Sequence, residues 1–230
     1  MINSARKYVF IIIFSVSNFS YAEPDHLVPV SPYDPTGYNN AVFKSLIVND
    51  VANAYMISLP SFSPEEAIII YVDEKYLEEN GKVVYPVKTI SEKWYIKKVV
   101  ANKKIYQSNT KSDGTIAYEI KPTKDVTEHI TSIDKKDADK FISAWKVVLQ
   151  GTRYYEHEKL GLDGITYLFY TGFNLYGSTW SPGTGSPKML VDLGETLSSL
   201  TESDNRYRGQ LLKEANSIAD NILVEPKQGL

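Results

Sequence analysis

The densest run of residues able to do chemistry is Arg153-Tyr154-Tyr155-Glu156-His157-Glu158. His157-Glu158 opens like the zinc-protease pattern, in which two histidines one helical turn apart hold the metal and the glutamate acts as base. The second histidine is replaced by Gly161, so the pattern fails. The histidines are His26, His129 and His157, none at ligand spacing from another, and the chain has no cysteine. Zinc fingers, thiol nucleophiles and iron–sulfur sites are thereby excluded, and neither a metal site nor a cofactor is expected. Glu156 and Glu158 are acidic enough for glycoside chemistry, which needs two carboxyls roughly 5–9 Å apart across a cleft. On a helix, residues two apart diverge; on a strand they share a face with no cleft implied. The expected reading is a charged helix end and loop, with no catalytic residues assigned.

A second stretch, Gly177 to Ser186, packs glycine, serine and threonine ahead of a helix. It contains no G-x-S-x-G elbow for a serine nucleophile. It also lacks the lysine of a phosphate loop, and Lys188 stands where a third glycine would complete a dinucleotide fingerprint. Amides at a helix start can hold an anion, but a surface connection in which Ser186 caps the helix and Pro187 takes its first position accounts for the same residues. A third cluster sets Lys93, Lys97, Lys98, Lys103 and Lys104 around Trp94, Tyr95 and Tyr106. Basic residues among aromatics can bind nucleic acid, yet nearby acids dilute the patch and lysines also guard edge strands. No nucleic-acid partner is expected. What remains is a set of side chains suited to protein recognition, since aromatics and arginine anchor interfaces: Arg153, Tyr154, Tyr155, Glu156, Tyr176, Ser178 and Trp180.

The elements that must position these residues begin after a leader. Arg6 and Lys7, the apolar run Tyr8–Phe14 and the small-x-small end Ser20-Tyr21-Ala22 have the form of a secretory signal cut after Ala22. The run is too short to span a bilayer, which takes about 20 apolar residues. Losing Arg6 and Lys7 makes the net charge of −3 more negative by two. Residues 23–40, broken by Pro24, Pro29, Pro32 and Pro35, read as an extended lead-in, and residues 41–230 as a single α+β domain.

In that domain, short β-branched runs and turn signals from Val42 to Ile120 predict an antiparallel meander. Strands are expected over Val51–Leu59 and Ala67–Val72, and one helical turn after Ser63-Pro64. Hairpin turns are expected at Asn80-Gly81, at Ala101-Asn102-Lys103 and at Asp113-Gly114. Ala138, Phe141, Ile142, Trp145, Val148 and Leu149 then recur at helical spacing behind Asp134, predicting a helix from Lys135 to Gln150. A strand follows over Ile165–Thr171, then a loop over Gly172–Gly185. Two more helices are striped by Leu190, Leu193, Leu197 and Leu200, and by Tyr207, Leu211, Ala215, Ile218 and Ile222. The expected class is α+β: an antiparallel sheet in the N-terminal half of the mature chain, with about three helices mostly in the C-terminal half.

A chain with an export leader, no cysteine, no N-x-S/T sequon after Ala22 and no catalytic signature reads as a bacterial periplasmic or secreted protein. The expected role is to bind, and so neutralise, a protein partner in the cell envelope, as an inhibitor or immunity protein does. The alternative is a cell-envelope hydrolase using a carboxylate pair such as Glu156 and Asp163.

Overall fold

The protein is described by a computed structural model covering residues 25–30, 37–47, 52–76, 78–79, 82–83, 89–155, 163–172 and 174–224. Helix α1 (Tyr38–Leu46) precedes β1 (Ala52–Pro60) and β2 (Glu66–Tyr76). The short β3 (Glu78–Glu79) and β4 (Lys82–Val83) pair across positions 80 and 81, where the Asn-Gly turn was expected. Then come β5 (Thr89–Ala101), β6 (Tyr106–Thr110), β7 (Ile116–Ile120), β8 (Val126–Ile133), α2 (Lys135–Gln150), β9 (Ile165–Thr171), β10 (Leu175–Trp180), α3 (Gly185–Glu202) and α4 (Asn205–Val224).

Six strands form one sheet in the order β10-β9-β1-β2-β5-β8. Every neighbouring pair is antiparallel. The α+β class is as the sequence pattern implies. Side-chain alternation along the strands divides the core in two. Ala54, Met56, Ile68, Ile70, Ile96 and Phe169 face α2, α3 and α4, while Tyr55, Ile57, Ala67, Ile69 and Val99 face α1. The expected stripe of α2 is what buries it: Ala138, Phe141, Trp145, Val148 and Leu149 point inward. Trp145 Nε1 also donates to the Tyr55 carbonyl at 3.2 Å, tying that helix to β1. Asp134 occupies the N-cap, as expected, but its side chain makes no capping bond.

Five local expectations are corrected. Tyr38–Leu46, read as the end of an extended lead-in and the start of a strand-like stretch, is helical; Ala41, Val42, Ser45 and Leu46 fall on one buried face. No helical turn follows Pro64, because Glu65 turns inward and β2 starts at Glu66. Ala101–Lys103 is not a hairpin: β5 pairs with β2 and β8, and β6 pairs with β7 across the Asp113-Gly114 turn. The supposed loop 172–185 contains strand β10. Finally, α3 begins at Gly185 with Thr184 as its N-cap, two residues earlier than a Ser186 cap would set it.

A buried carboxylate organises the end of the sheet. Glu65, with no exposed surface, accepts hydrogen bonds from Tyr38 Oη at 2.7 Å and from the amides of Ile105 and Tyr106 at 2.9 and 3.4 Å. It thus fastens α1 and the start of the β6–β7 hairpin to one point. Burial, reinforced by this bond, raises the Tyr38 phenol above its ordinary range.

Candidate functional site

Three of the sequence-selected residues, Tyr176, Ser178 and Trp180, lie on β10, an outer strand of the sheet. Along β10, Gly177 faces the helices. A side chain there would come within 2.8 Å of Leu149 Cδ2, 2.9 Å of Thr152 Cγ2 and 3.1 Å of Leu27 Cδ1. The glycine that suggested a loop therefore serves close packing inside a strand.

The free side of β10 is met by Asp25–Val30. Val28 and Ser178 exchange both backbone hydrogen bonds, each 2.8 Å. Leu27 is 1% exposed and enters the core between sheet and α2, while its carbonyl accepts from the Arg153 amide at 2.9 Å. The His26 ring lies 3.9 Å from that of Tyr155, whose hydroxyl donates to the His26 carbonyl at 2.9 Å. Asp25 Oδ2 accepts from the amides of Gly183 and Thr184 at 2.7 and 3.1 Å. The start of α3 thus does hold an anion, as its amides and dipole favour, and the anion is the chain's own aspartate.

Of the seven expected binding residues, this strap touches three: Arg153 through its amide, Tyr155 through its ring and hydroxyl, and Ser178 through its backbone. Tyr154 is 76% exposed and Trp180 38%. The Trp180 ring lies over Gly164, where a Cβ would approach it to 2.7 Å. Tyr176 lies on the sheet face away from the three C-terminal helices, in a row of rings: Tyr176 to Tyr170 and Tyr170 to Tyr55, both 4.8 Å between centroids. Burial, then the neighbouring Tyr176 and Tyr170, hold the Tyr55 phenol above its usual range. Glu156 lies outside the described residues, as do His157 and Glu158. Asp163 is exposed at the bend before β9. Asp25, His26 and Leu27 were missed by sequence reasoning; the apolar pair Leu27-Val28 amid prolines was the only local signal.

The lysine cluster does not form one patch. Lys97 and Lys98 point to opposite faces of β5, an interior strand, so an edge-guarding role does not apply to them. Lys97 is buried 5.8 Å from the Tyr71 ring centre and 3.7 Å from Glu128. Lys98 contacts Glu66 at 3.7 Å and Glu202 at 3.0 Å. Lys104 donates to the carbonyls of Pro60 and Ser61. Near Lys93 and Trp94 opens a cleft of about 460 Å³, lined also by Glu92, Asp134, Lys135 and Arg208. There Lys135 donates to Glu92 at 2.6 Å and sits 5.6 Å from the Trp94 ring centre. The Lys135 bond, with one from Trp94, holds the Glu92 carboxyl below its usual range, and Arg208 donates to the Ser132 carbonyl.

Among the described residues, no group of three or more histidine, aspartate or glutamate side chains is arranged to hold a metal ion, and no helix is long and apolar enough to cross a membrane. No known protein family, curated protein or solved structure matches the chain.

Proposed function

We propose that the chain is an exported bacterial protein, processed after Ala22 and resident in the periplasm or outside the cell. Its role there is to bind and neutralise a protein partner. The observation that carries this reading is the exposure of two large aromatic side chains, Tyr154 and Trp180, the first next to Arg153 on the exit from α2 and the second on the outer strand β10. Aromatic and arginine side chains with rigid support are the usual anchors of protein interfaces. Their supports here are specific: the Leu27 carbonyl on the Arg153 amide and the Gly164 backbone under the Trp180 ring.

The test is capture from periplasmic extract by the wild-type chain and by the Tyr154→Ala/Trp180→Ala double variant. The expected outcome is a discrete protein held by the wild type and bound at least tenfold more weakly by the variant. Capture of nothing under native conditions would defeat the reading. Edman sequencing of the exported chain tests its location separately, with Glu23 as the expected first residue.

A further inference from the structure

The contacts of Asp25–Val28 have the form of strand addition, in which an extended segment pairs with a sheet edge while side chains fill flanking seats. The first seat is the pair of amides at the start of α3, filled by the Asp25 carboxylate. The second is the face of Tyr155, covered by His26. The third is the apolar hole beside Gly177 and Leu149, filled by Leu27. The backbone is held by the single Val28–Ser178 pair, a short ladder compared with the six or seven residue pairs β9 makes on either side. A polar group in the groove goes unused: Thr179 Oγ1 is buried, its residue 4% exposed, and without a hydrogen-bond partner among the described residues. The register set by Val28 and Ser178 puts it opposite Leu27. An unpaired buried hydroxyl is costly, so the strap is an incomplete match to the groove it fills.

From this we infer that the edge of β10 is a peptide-recognition groove, which residues 25–28 keep closed. Its occupant in trans is an extended protein segment with a carboxylate two residues ahead of an aliphatic side chain. The inference deepens the proposed protein-binding role and rests on it: the partner would displace the strap and dock next to Arg153, Tyr154 and Trp180.

A fluorescein-labelled synthetic peptide of residues 23–30 serves as the probe, titrated by anisotropy into the full chain as wild type, Asp25→Asn and Leu27→Ala. Two variants are used because Asp25 is at the surface of the strap and Leu27 in the core, so loss of fold in one leaves the other informative; circular dichroism identifies which is folded. In the wild type the strap competes at high effective concentration. The expected result is at least tenfold tighter peptide binding to a folded variant than to wild type, and at least tenfold weaker binding by peptides carrying either replacement. Absence of binding, or binding indifferent to both peptide replacements, overturns the inference. If the extract experiment succeeds while the peptide fails, the protein-binding role stands and the groove is not its seat.

Discussion

Replacing Glu65 tests how the end of the sheet is held. In Glu65→Ala the Tyr38 hydroxyl and the amides of Ile105 and Tyr106 lose their acceptor while staying in place. Two of the three bonds are short, at 2.7 and 2.9 Å, and the third, at 3.4 Å, is weak. A hydrogen bond to a charged group contributes about 1.5–3 kcal/mol, and a buried donor left unpaired costs a similar amount. Removing the carboxylate also relieves its own burial, so the net loss is set at roughly 3–5 kcal/mol. That is a large part of the ~5–15 kcal/mol typical of a folded chain. Glu65→Gln keeps one acceptor, which can stay on the Ile105 amide while the Tyr38 hydroxyl turns to accept from the new amide group; its cost is about 1–2 kcal/mol. Urea unfolding followed by tryptophan fluorescence measures both. A loss below ~1 kcal/mol for alanine, or equal losses for the two variants, would refute the account.

Three further outcomes follow from the same geometry. Tyr38, Tyr55 and Tyr167 all have phenols raised above their ordinary range, chiefly by burial. Their contribution is complete below pH ~10 and falls as pH rises further, because the unfolded chain ionises first. The decline is about 1.4 kcal/mol per pH unit for Tyr55 and less for the half-buried Tyr38; urea midpoints unchanged between pH 9 and 11.5 would contradict this. Gly177→Ala pushes on Leu149, Thr152 and Leu27 together and should cost about 1–3 kcal/mol, with faster proteolysis ahead of residue 30; a variant as stable and as resistant as wild type would show that the strap yields freely. If the alternative hydrolase reading held, Glu156→Gln would abolish turnover of cell-envelope material; intact hydrolysis in that variant, or none in the wild type, counts against it.

What could be read from the sequence depended on whether the signal was local. α2 was read with the bounds Lys135–Gln150, and β9 with Ile165–Thr171, because each carries an unbroken period whose apolar side is buried. β10 was missed because Leu-Tyr-Gly-Ser-Thr-Trp has loop composition, and only its packing against Leu149 and Thr152 explains the glycine. α1 was missed because it is nine residues long and held by tertiary burial more than by helical propensity. At the site, the cluster Arg153–Tyr155 marked the right neighbourhood through its residue types alone. Its partners Asp25 and His26 lie 129 to 159 residues from the groups they bind, a distance over which spacing and periodicity carry no information.

The position of β1 between β2 and β9 has a consequence for the order of pairing as the chain folds. β2 follows β1 after a five-residue turn and covers one side of it at once. The other side of β1 waits for β9, whose Thr171 pairs with Ala54. Until β9 pairs, the segment Tyr-Met-Ile-Ser-Leu offers an unpaired row of backbone groups to any neighbouring chain, so a holding chaperone would have to act before that step to prevent misassembly.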